Sequence, residues 1–196
     1  MGSSLPGLRR SLNGEGSMAE VMSNTGFRAL SVWLRLREAL SSPEERLQAA
    51  GLKAGQKVLD YGCGVGGYAL AAAQMVGAEG QVHALDIHPL AVRAVRRRAA
   101  RHGLANVQTI QSDCDTGLPD NGVDTVLLYD VLHSVPDQSA LLRELHRVLK
   151  PGGCLAVVPD HMSENEFLET VTDGGLFALE SQHGDAYRFE RRNGQP

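Results

Sequence analysis

Residues 58–70, VLDYGCGVGGYAL, combine a short apolar run, four glycines within six residues and the alanine-rich start of a helix. This order is typical of a buried strand that turns sharply into a helix. Gly62, Gly64 and Gly67 also satisfy the G-x-G-x-x-G pattern of dinucleotide-binding loops. The pattern alone leaves the ligand open, because loops of this kind hold more than one nucleotide-like molecule.

Strand and helix patterns alternate on both sides of this turn. Strands are predicted at 57–61, 81–86, 107–113, 123–130 and 154–159, and helices at 67–77, 89–103 and 139–150. Such alternation predicts a parallel sheet with right-handed crossovers and helices on both faces. After a short helix at 164–175, strands at 176–182 and 186–192 are separated only by His183, Gly184 and Asp185, so these two must be antiparallel.

Composition and cysteine usage narrow the class of protein. The 196 residues are 42% hydrophobic and 21% charged, which suits one globular α/β domain. The net charge of −4 argues against a nucleic-acid or membrane partner, and no apolar run reaches the 18 residues of a membrane span. Three widely spaced cysteines favour reduced thiols in the cytoplasm over a disulfide framework or a metal site.

The region before the glycine-rich unit divides into two segments. Residues 1–20 are rich in Gly and Ser and are predicted to be a flexible leader without a secretory signal. Residues 21–52 are predicted to be helical, with one apolar stripe around Trp33 and a second helix capped by Ser42 and begun by Pro43. The remaining residues, 53–196, form the predicted α/β domain.

Acidic residues close four of the five alternating strands. These are Asp60, Asp86, Asp113 and Asp160, and Tyr129 closes the other. Ligands of open parallel sheets bind beyond these carboxyl ends. Several carboxylates would repel a pyrophosphate but would suit a ligand with a cationic amine, a sulfonium and a free ribose.

Five motifs in this order resemble the class I S-adenosylmethionine-dependent methyltransferases, from the strand of Asp60 to the C-terminus. They are VLDYGCGVGG, ALDIHP, QSDC, DTVLLYDVLHSV and LHRVLKPGG. The resemblance implies a Rossmann-like seven-stranded sheet in the order 3-2-1-4-5-7-6, with strand 7 antiparallel. It also implies S-adenosylmethionine as the cofactor. The predicted N-terminal helices are the expected lid over this domain.

The same resemblance assigns the cofactor-binding residues. Asp60 is expected to hold the cationic amino group, and the carbonyl of Tyr129 to meet it from the fourth strand. Gly62 and Gly64 let the backbone approach the ligand without a Cβ in the way. Asp86, followed by Ile87, is expected to grip the ribose hydroxyls, while Asp113 accepts from the adenine amine and Cys114 supplies a backbone donor.

Three side chains at the same edge are candidates for catalysis. His133, His161 and Tyr129 follow or close the fourth and fifth strands, where a base for the acceptor would be needed. The alternative is that they only shape the pocket. Displacement at a sulfonium methyl is in-line and often needs no metal, so alignment and exclusion of water are the main tasks.

Other interpretations remain beside this one. The helix at 89–103 carries Arg93, Arg97 and Arg101 in an i, i+4 stripe, which suggests either a nucleic-acid surface or, more commonly, a solvated face. Asp86 would also suit an NAD-dependent oxidoreductase. A sensor or partner subunit that binds the cofactor without catalysis has the same motifs. The expected acceptor is a small molecule of unidentified structure, and the sequence is compatible with a homodimer.

Deletion of residues 1–40 tests the predicted lid. Phe27, Leu30, Trp33 and Leu34 form an apolar helix face that could close a water-poor site. We expect the truncated protein to fold and to bind cofactor but to transfer methyl groups slowly. Circular dichroism, calorimetry and a turnover assay measure the three properties, and full turnover in the truncated protein would exclude the lid.

Overall fold

The computed structural model describes residues 43–159 and 161–193, and twelve helices and strands follow one another in this range. In chain order they are α1 Pro43–Ala49, β1 Lys57–Tyr61, α2 Gly67–Val76, β2 Gln81–Asp86, α3 Pro89–Arg101, β3 Val107–Gln111, β4 Val123–Tyr129, α4 Gln138–Val148, β5 Leu149–Val158, α5 Glu164–Thr172, β6 Phe177–His183 and β7 Ala186–Arg191. A single 3-10 turn, Leu132–Ser134, lies between β4 and α4.

All seven strands belong to one sheet in the order β3-β2-β1-β4-β5-β7-β6. The β7 strand runs antiparallel to both of its neighbours, and the pairs β1–β2, β1–β4, β2–β3 and β4–β5 are parallel. The predicted strand order and the antiparallel position of the last strand are therefore confirmed. Because β1 lies between β2 and β4, the loops that follow these three strands meet at one edge.

Successive side chains along each strand pack on opposite faces of the sheet, so the protein has two separate hydrophobic cores. Val58 packs with α1, α2 and α3 on one face of the sheet, whereas Leu59 packs with α4 and α5 on the other. Alanines fill the sheet-facing side of α2, so this helix can approach the strands closely. Helices on both faces were predicted from the sequence and are confirmed.

Side-chain caps fix where the helices start. The Nδ1 atom of His88 accepts from the Leu90 backbone N–H ahead of α3, and Pro89 occupies the first helical position. Asp137 caps α4 and Ser163 caps α5 in the same manner. Each cap satisfies a backbone donor that the first turn leaves open, so these loops end at defined residues.

Part of the predicted N-terminal region lies outside the described residues. This applies to the leader 1–20, to the lid residues around Trp33, to the Ser42 cap and, further along the chain, to Asp160. The α1 helix, predicted from its Pro43 start, is confirmed. Within the described ranges no helix has both the length and the apolar character needed to cross a membrane.

The buried His83 in β2 predicts a loss of stability in mild acid. Its side chain is 8% exposed, and its Nδ1 atom has no hydrogen-bond partner among the described residues. Burial and the nearby charge of Lys57 lower the pKa of His83 below its ordinary 6.5. The unfolded chain therefore takes up the proton first, so the free energy of unfolding falls as the pH drops below this ordinary value.

We expect the melting temperature of the protein to fall between pH 7.5 and 5.5, and His83→Leu to reduce this slope. Thermal unfolding followed by circular dichroism measures it at each pH. The exposed His102 offers a matched control, since His102→Leu removes a histidine from the surface. Equal slopes in the wild type and the His83 variant would show that His83 is not responsible.

Candidate active site

The glycine-rich loop between β1 and α2 adopts conformations that only glycine takes readily. Gly62, Gly64 and Gly66 have φ angles of 77°, 51° and 90°. A Cβ on Gly62 would lie 2.8 Å from Cγ2 of Val131, the residue that precedes the 3-10 turn. The loop is therefore folded against the segment that follows β4.

Asp86 connects this loop to the end of β2. Its Oδ2 atom accepts from the Gly64 N–H at 2.9 Å, and its Oδ1 atom accepts from the His88 N–H at 2.7 Å. Burial raises the pKa of the Asp86 carboxyl, and the two backbone donors oppose this shift. Gly62 and Cys63 donate their N–H groups to the Leu85 carbonyl, which completes the attachment.

The first strand places Asp60 in the centre of the sheet. This residue is 2% exposed and lies opposite Ala84 of β2 and Leu127 of β4 in the strand register. A carboxylate at this depth needs a cationic or hydrogen-bonding partner to remain charged. Its position beside the glycine-rich loop fits the predicted contact with a cationic amino group, which stays a prediction.

Residues 112–118 form the loop at the end of β3. Asp113 Oδ1 accepts from the Cys114 N–H at 2.8 Å, and the Tyr61 hydroxyl donates to the Asp113 carbonyl. The predicted adenine contacts of Asp113 and Cys114 therefore lie in a loop that is attached to β1. Of the other predicted contacts, Ile87 follows Asp86 directly and is half-buried.

Glu144 of α4 holds the same loop from the opposite side. Its Oε1 atom accepts from the backbone N–H and the hydroxyl of Thr116, at 3.0 and 2.6 Å, and both of its oxygens accept from Arg147. The hydrogen bond from Arg147 lowers the pKa of Glu144 to about 2, against the effect of burial. The loop stays anchored while Glu144 is charged. No pattern in the sequence distinguished Glu144 from other helical acids.

The side chain of Tyr129 contacts α1 and α2. Its hydroxyl donates to the Arg46 carbonyl at 3.2 Å, and its ring meets Tyr68 edge-on at 4.7 Å. Burial raises the pKa of this phenol far above its ordinary value. The catalytic role of the hydroxyl stays a prediction, and it would require this hydrogen bond to break. The predicted carbonyl contact does not involve the side chain.

The two candidate histidines lie next to each other. His133 belongs to the 3-10 turn after β4, and His161 follows β5 with a φ of 57°. Their ring centroids are 5.0 Å apart at an interplanar angle of 77°, and both residues are exposed. The sequence placed each of them at the edge separately, whereas the structure joins them into one imidazole pair. Such a pair can accept and pass on a proton at the protein surface.

The cysteines do not form a reactive or metal-binding group. Burial raises the pKa of all three thiols, to about 11 for Cys154, and the carboxylates near Cys63 and Cys114 add to the effect. All three are free thiols. Within residues 43–159 and 161–193, no cluster of three or more His, Cys, Asp or Glu side chains is arranged to hold a metal ion.

The strand order and the residues at the carboxyl ends of the strands indicate the class of protein. A seven-stranded sheet with an antiparallel seventh strand, a glycine-rich first loop and an acid at the end of β2 defines the S-adenosylmethionine-dependent methyltransferases. Residues 52–194 match the family described as the methyltransferase domain. The chain belongs to this family, and its cofactor is S-adenosylmethionine.

Relatives and solved structures agree with this assignment. The chain is 34% identical over 121 residues to demethylmenaquinone methyltransferase of Geobacillus kaustophilus, covering 61% of this chain and 52% of that protein. It is 33% identical over 152 residues to the ubiquinone/menaquinone biosynthesis C-methyltransferase UbiE of Marinomonas sp., covering 73% of this chain and 61% of that protein. The chain therefore spans just over half of these curated relatives.

One solved structure matches this chain over nearly the whole of the solved structure's own length. The crystal structure of a SAM-dependent methyltransferase from Aquifex aeolicus superimposes with a TM-score of 0.73 at 27% identity, covering 86% of this chain and 96% of that one. These matches favour the methyltransferase over the NAD-dependent oxidoreductase. They also favour an enzyme over a sensor that has lost catalysis.

Substitution of Asp86 tests the predicted ribose contact. We expect Asp86→Ala to weaken binding of S-adenosylhomocysteine by about 1.5–3 kcal/mol, or about 10- to 150-fold, because charge-assisted contacts and the anchor of Gly64 are both lost. Isothermal calorimetry measures the affinity. Asp124→Ala is a matched control, since Asp124 is near the opposite edge of the sheet and pairs with Lys150. An affinity unchanged by Asp86→Ala would remove this residue from the site.

Proposed function

We propose that this protein transfers a methyl group from S-adenosylmethionine to a carbon atom of a small quinol-type aromatic acceptor. The observation that carries the proposal is the imidazole pair of His133 and His161, which lies beyond the carboxyl ends of β4 and β5. Two relatives are named for quinone methylation, and one of them is named a C-methyltransferase. Together, the pair and the relatives support a reaction that begins with removal of a proton from the acceptor.

The chain's own residues divide the work between holding the cofactor and preparing the acceptor. Asp60, Asp86 and Asp113 would hold the cofactor's amino group, ribose and adenine, respectively. Gly62 and Gly64 would allow the backbone to approach the cofactor closely. The cofactor, when bound, supplies an electrophilic methyl group on a positively charged sulfur. A buried Asp60 and an anchored loop keep the site preorganised, so little reorganisation is needed during the reaction.

The histidine pair would act on the acceptor. An aromatic carbon is a weak nucleophile until a neighbouring hydroxyl loses its proton, which raises the electron density of the ring. One imidazole of the pair accepts that hydroxyl proton, and the ring carbon then takes the methyl group as the bond from this methyl to the cofactor's sulfur breaks. The second imidazole accepts the proton that the ring carbon loses when the aromatic system is restored, and the first imidazole returns its proton to the oxygen. Two adjacent rings provide an acceptor for each proton, and because both residues are exposed, the one proton released overall can pass to solvent.

The proposal also includes the cellular location, the size of the acceptor and the oligomeric state. A cytoplasmic location is supported by three free thiols, since reduced cysteines are typical of that compartment. The small-molecule acceptor is supported by the names of the relatives. The homodimer stays a prediction.

A turnover assay with a defined acceptor tests the proposal. We expect methylation of a reduced short-chain naphthoquinol or benzoquinol, with the new methyl group on ring carbon by mass spectrometry and NMR. Methylation at oxygen only would contradict the carbon-directed mechanism. Binding of cofactor with no transfer to any quinol would favour the non-catalytic sensor.

Substitution of the histidines tests their role within that reaction. We expect His133→Gln and His161→Gln each to lower kcat by about 10²-fold, the usual contribution of a general base, with cofactor affinity unchanged. The control is His102→Gln at the end of α3, which should leave kcat unchanged. Rates within twofold of the wild type in both variants would exclude the pair from proton transfer.

A further inference from the structure

Arg46 of α1 connects three parts of the fold that are far apart in the chain. Its Nε atom donates to Asp185 Oδ1 at 3.1 Å, and its Nη2 atom donates to the other oxygen of the same carboxylate. Its Nη1 atom donates to the Tyr68 hydroxyl. The backbone carbonyl of Arg46 accepts from the Tyr129 hydroxyl at 3.2 Å. All three partners meet at one turn of one short helix.

The two tyrosines belong to elements that border the candidate cofactor site. Tyr68 is the second residue of α2 and follows the glycine-rich loop, whereas Tyr129 is the last residue of β4. Their rings meet edge-on at 4.7 Å. The glycine-rich loop is expected to lie against the cofactor, and the Tyr129 carbonyl is expected to meet its amino group. A shift of either ring would therefore move the backbone of that site.

The arginine is held firmly enough to fix these rings. Its contact with Asp185 is bidentate, a geometry that restricts the guanidinium plane, and its side chain is 26% exposed. Burial alone would lower the pKa of Arg46, but hydrogen bonds to Asp185 and Tyr68 outweigh this effect and raise it. The guanidinium remains charged at any pH at which the protein is folded.

We propose that Arg46 is a positioning residue for the methionine end of the cofactor. Through Tyr68 it holds the first turn of α2, and through its own carbonyl it holds the end of β4. Asp185, in the turn between β6 and β7, keeps the guanidinium in this orientation. The inference depends on the proposed function only in that the site binds S-adenosylmethionine, and it involves neither the acceptor nor the histidine pair.

A second arginine separates this role from general stabilisation. Arg188 of β7 also attaches α1 to the terminal hairpin, because it donates to the Ala50 carbonyl and pairs with Glu180 at 3.0 Å. The hydrogen bonds and the ion pair of Arg188 with the described residues involve neither tyrosine. Loss of Arg188 should therefore loosen α1 without moving the glycine-rich loop, which makes Arg188→Gln a matched control for Arg46→Gln.

The experiment compares cofactor affinity with thermal stability in the full-length protein. Calorimetry with S-adenosylhomocysteine gives the dissociation constant, and thermal unfolding gives the melting temperature. We expect Arg46→Gln to raise the dissociation constant about tenfold, the effect of losing charge-assisted hydrogen bonds near the site. We expect Arg188→Gln to lower the melting temperature about as much as Arg46→Gln does. The same variant should change the dissociation constant less than twofold.

Three further variants examine the connection through Tyr68. Tyr68→Phe removes only the hydroxyl that accepts from Arg46, so it should weaken binding in the same direction. The double variant, Arg46→Gln with Tyr68→Phe, should bind no more weakly than Arg46→Gln alone, because both changes break the same hydrogen bond between Arg46 and Tyr68. Arg46→Lys retains a donor and should recover part of the affinity.

The outcomes distinguish this inference from the proposed function. If the wild type binds S-adenosylhomocysteine but Arg46→Gln binds equally well, the positioning role is overturned and the proposed function stands. Equal weakening by Arg46→Gln and Arg188→Gln would also overturn it, because the effect would then follow stability. A wild-type protein that binds cofactor yet methylates no quinol would contradict the proposed function and leave the positioning role in place.

Discussion

The attachment of Asp86 to the glycine-rich loop is the interaction on which the candidate site depends. A carboxylate at this partly buried edge loses hydration, and the backbone N–H groups of Gly64 and His88 replace part of it. The same two bonds set the distance between the loop after β1 and the loop after β2. Each carboxylate oxygen has a second lone pair, so Asp86 can accept ribose hydroxyls while it keeps these backbone donors.

The outer parts of the site are held by side chains that reach them from neighbouring elements. Glu144 of α4 and Tyr61 of β1 fix the loop that carries Asp113 and Cys114. On the other side, Arg46 fixes the two tyrosines in elements that border the site. The loops of the candidate site thus have their positions set by β1, by two helices and by the terminal hairpin. This arrangement explains how a site built from loops can be preorganised.

Most of the fold could be predicted because its signals are local. The apolar runs of β1 and β4, the proline start of α3 and the turn before β7 each depend on neighbouring residues, and connection rules then allow few topologies. The β5 strand was less well predicted, since the structure begins it at Leu149 and the apolar run begins only at Cys154. The start at Leu149 was not predicted, because the Pro-Gly-Gly sequence that follows normally indicates a turn.

The sequence by itself determined the sheet, the glycine-rich loop, the acids at the strand ends and the class of cofactor. These follow from short-range patterns and from a motif order that spans the domain. Only the tertiary structure decided that His133 lies against His161, that Glu144 anchors Thr116 and that Arg46 reaches Asp185, 139 residues away in the chain. Contacts of this kind leave no periodic signal, because they arise only when parallel strands bring their ends to one edge and the last hairpin folds back onto α1.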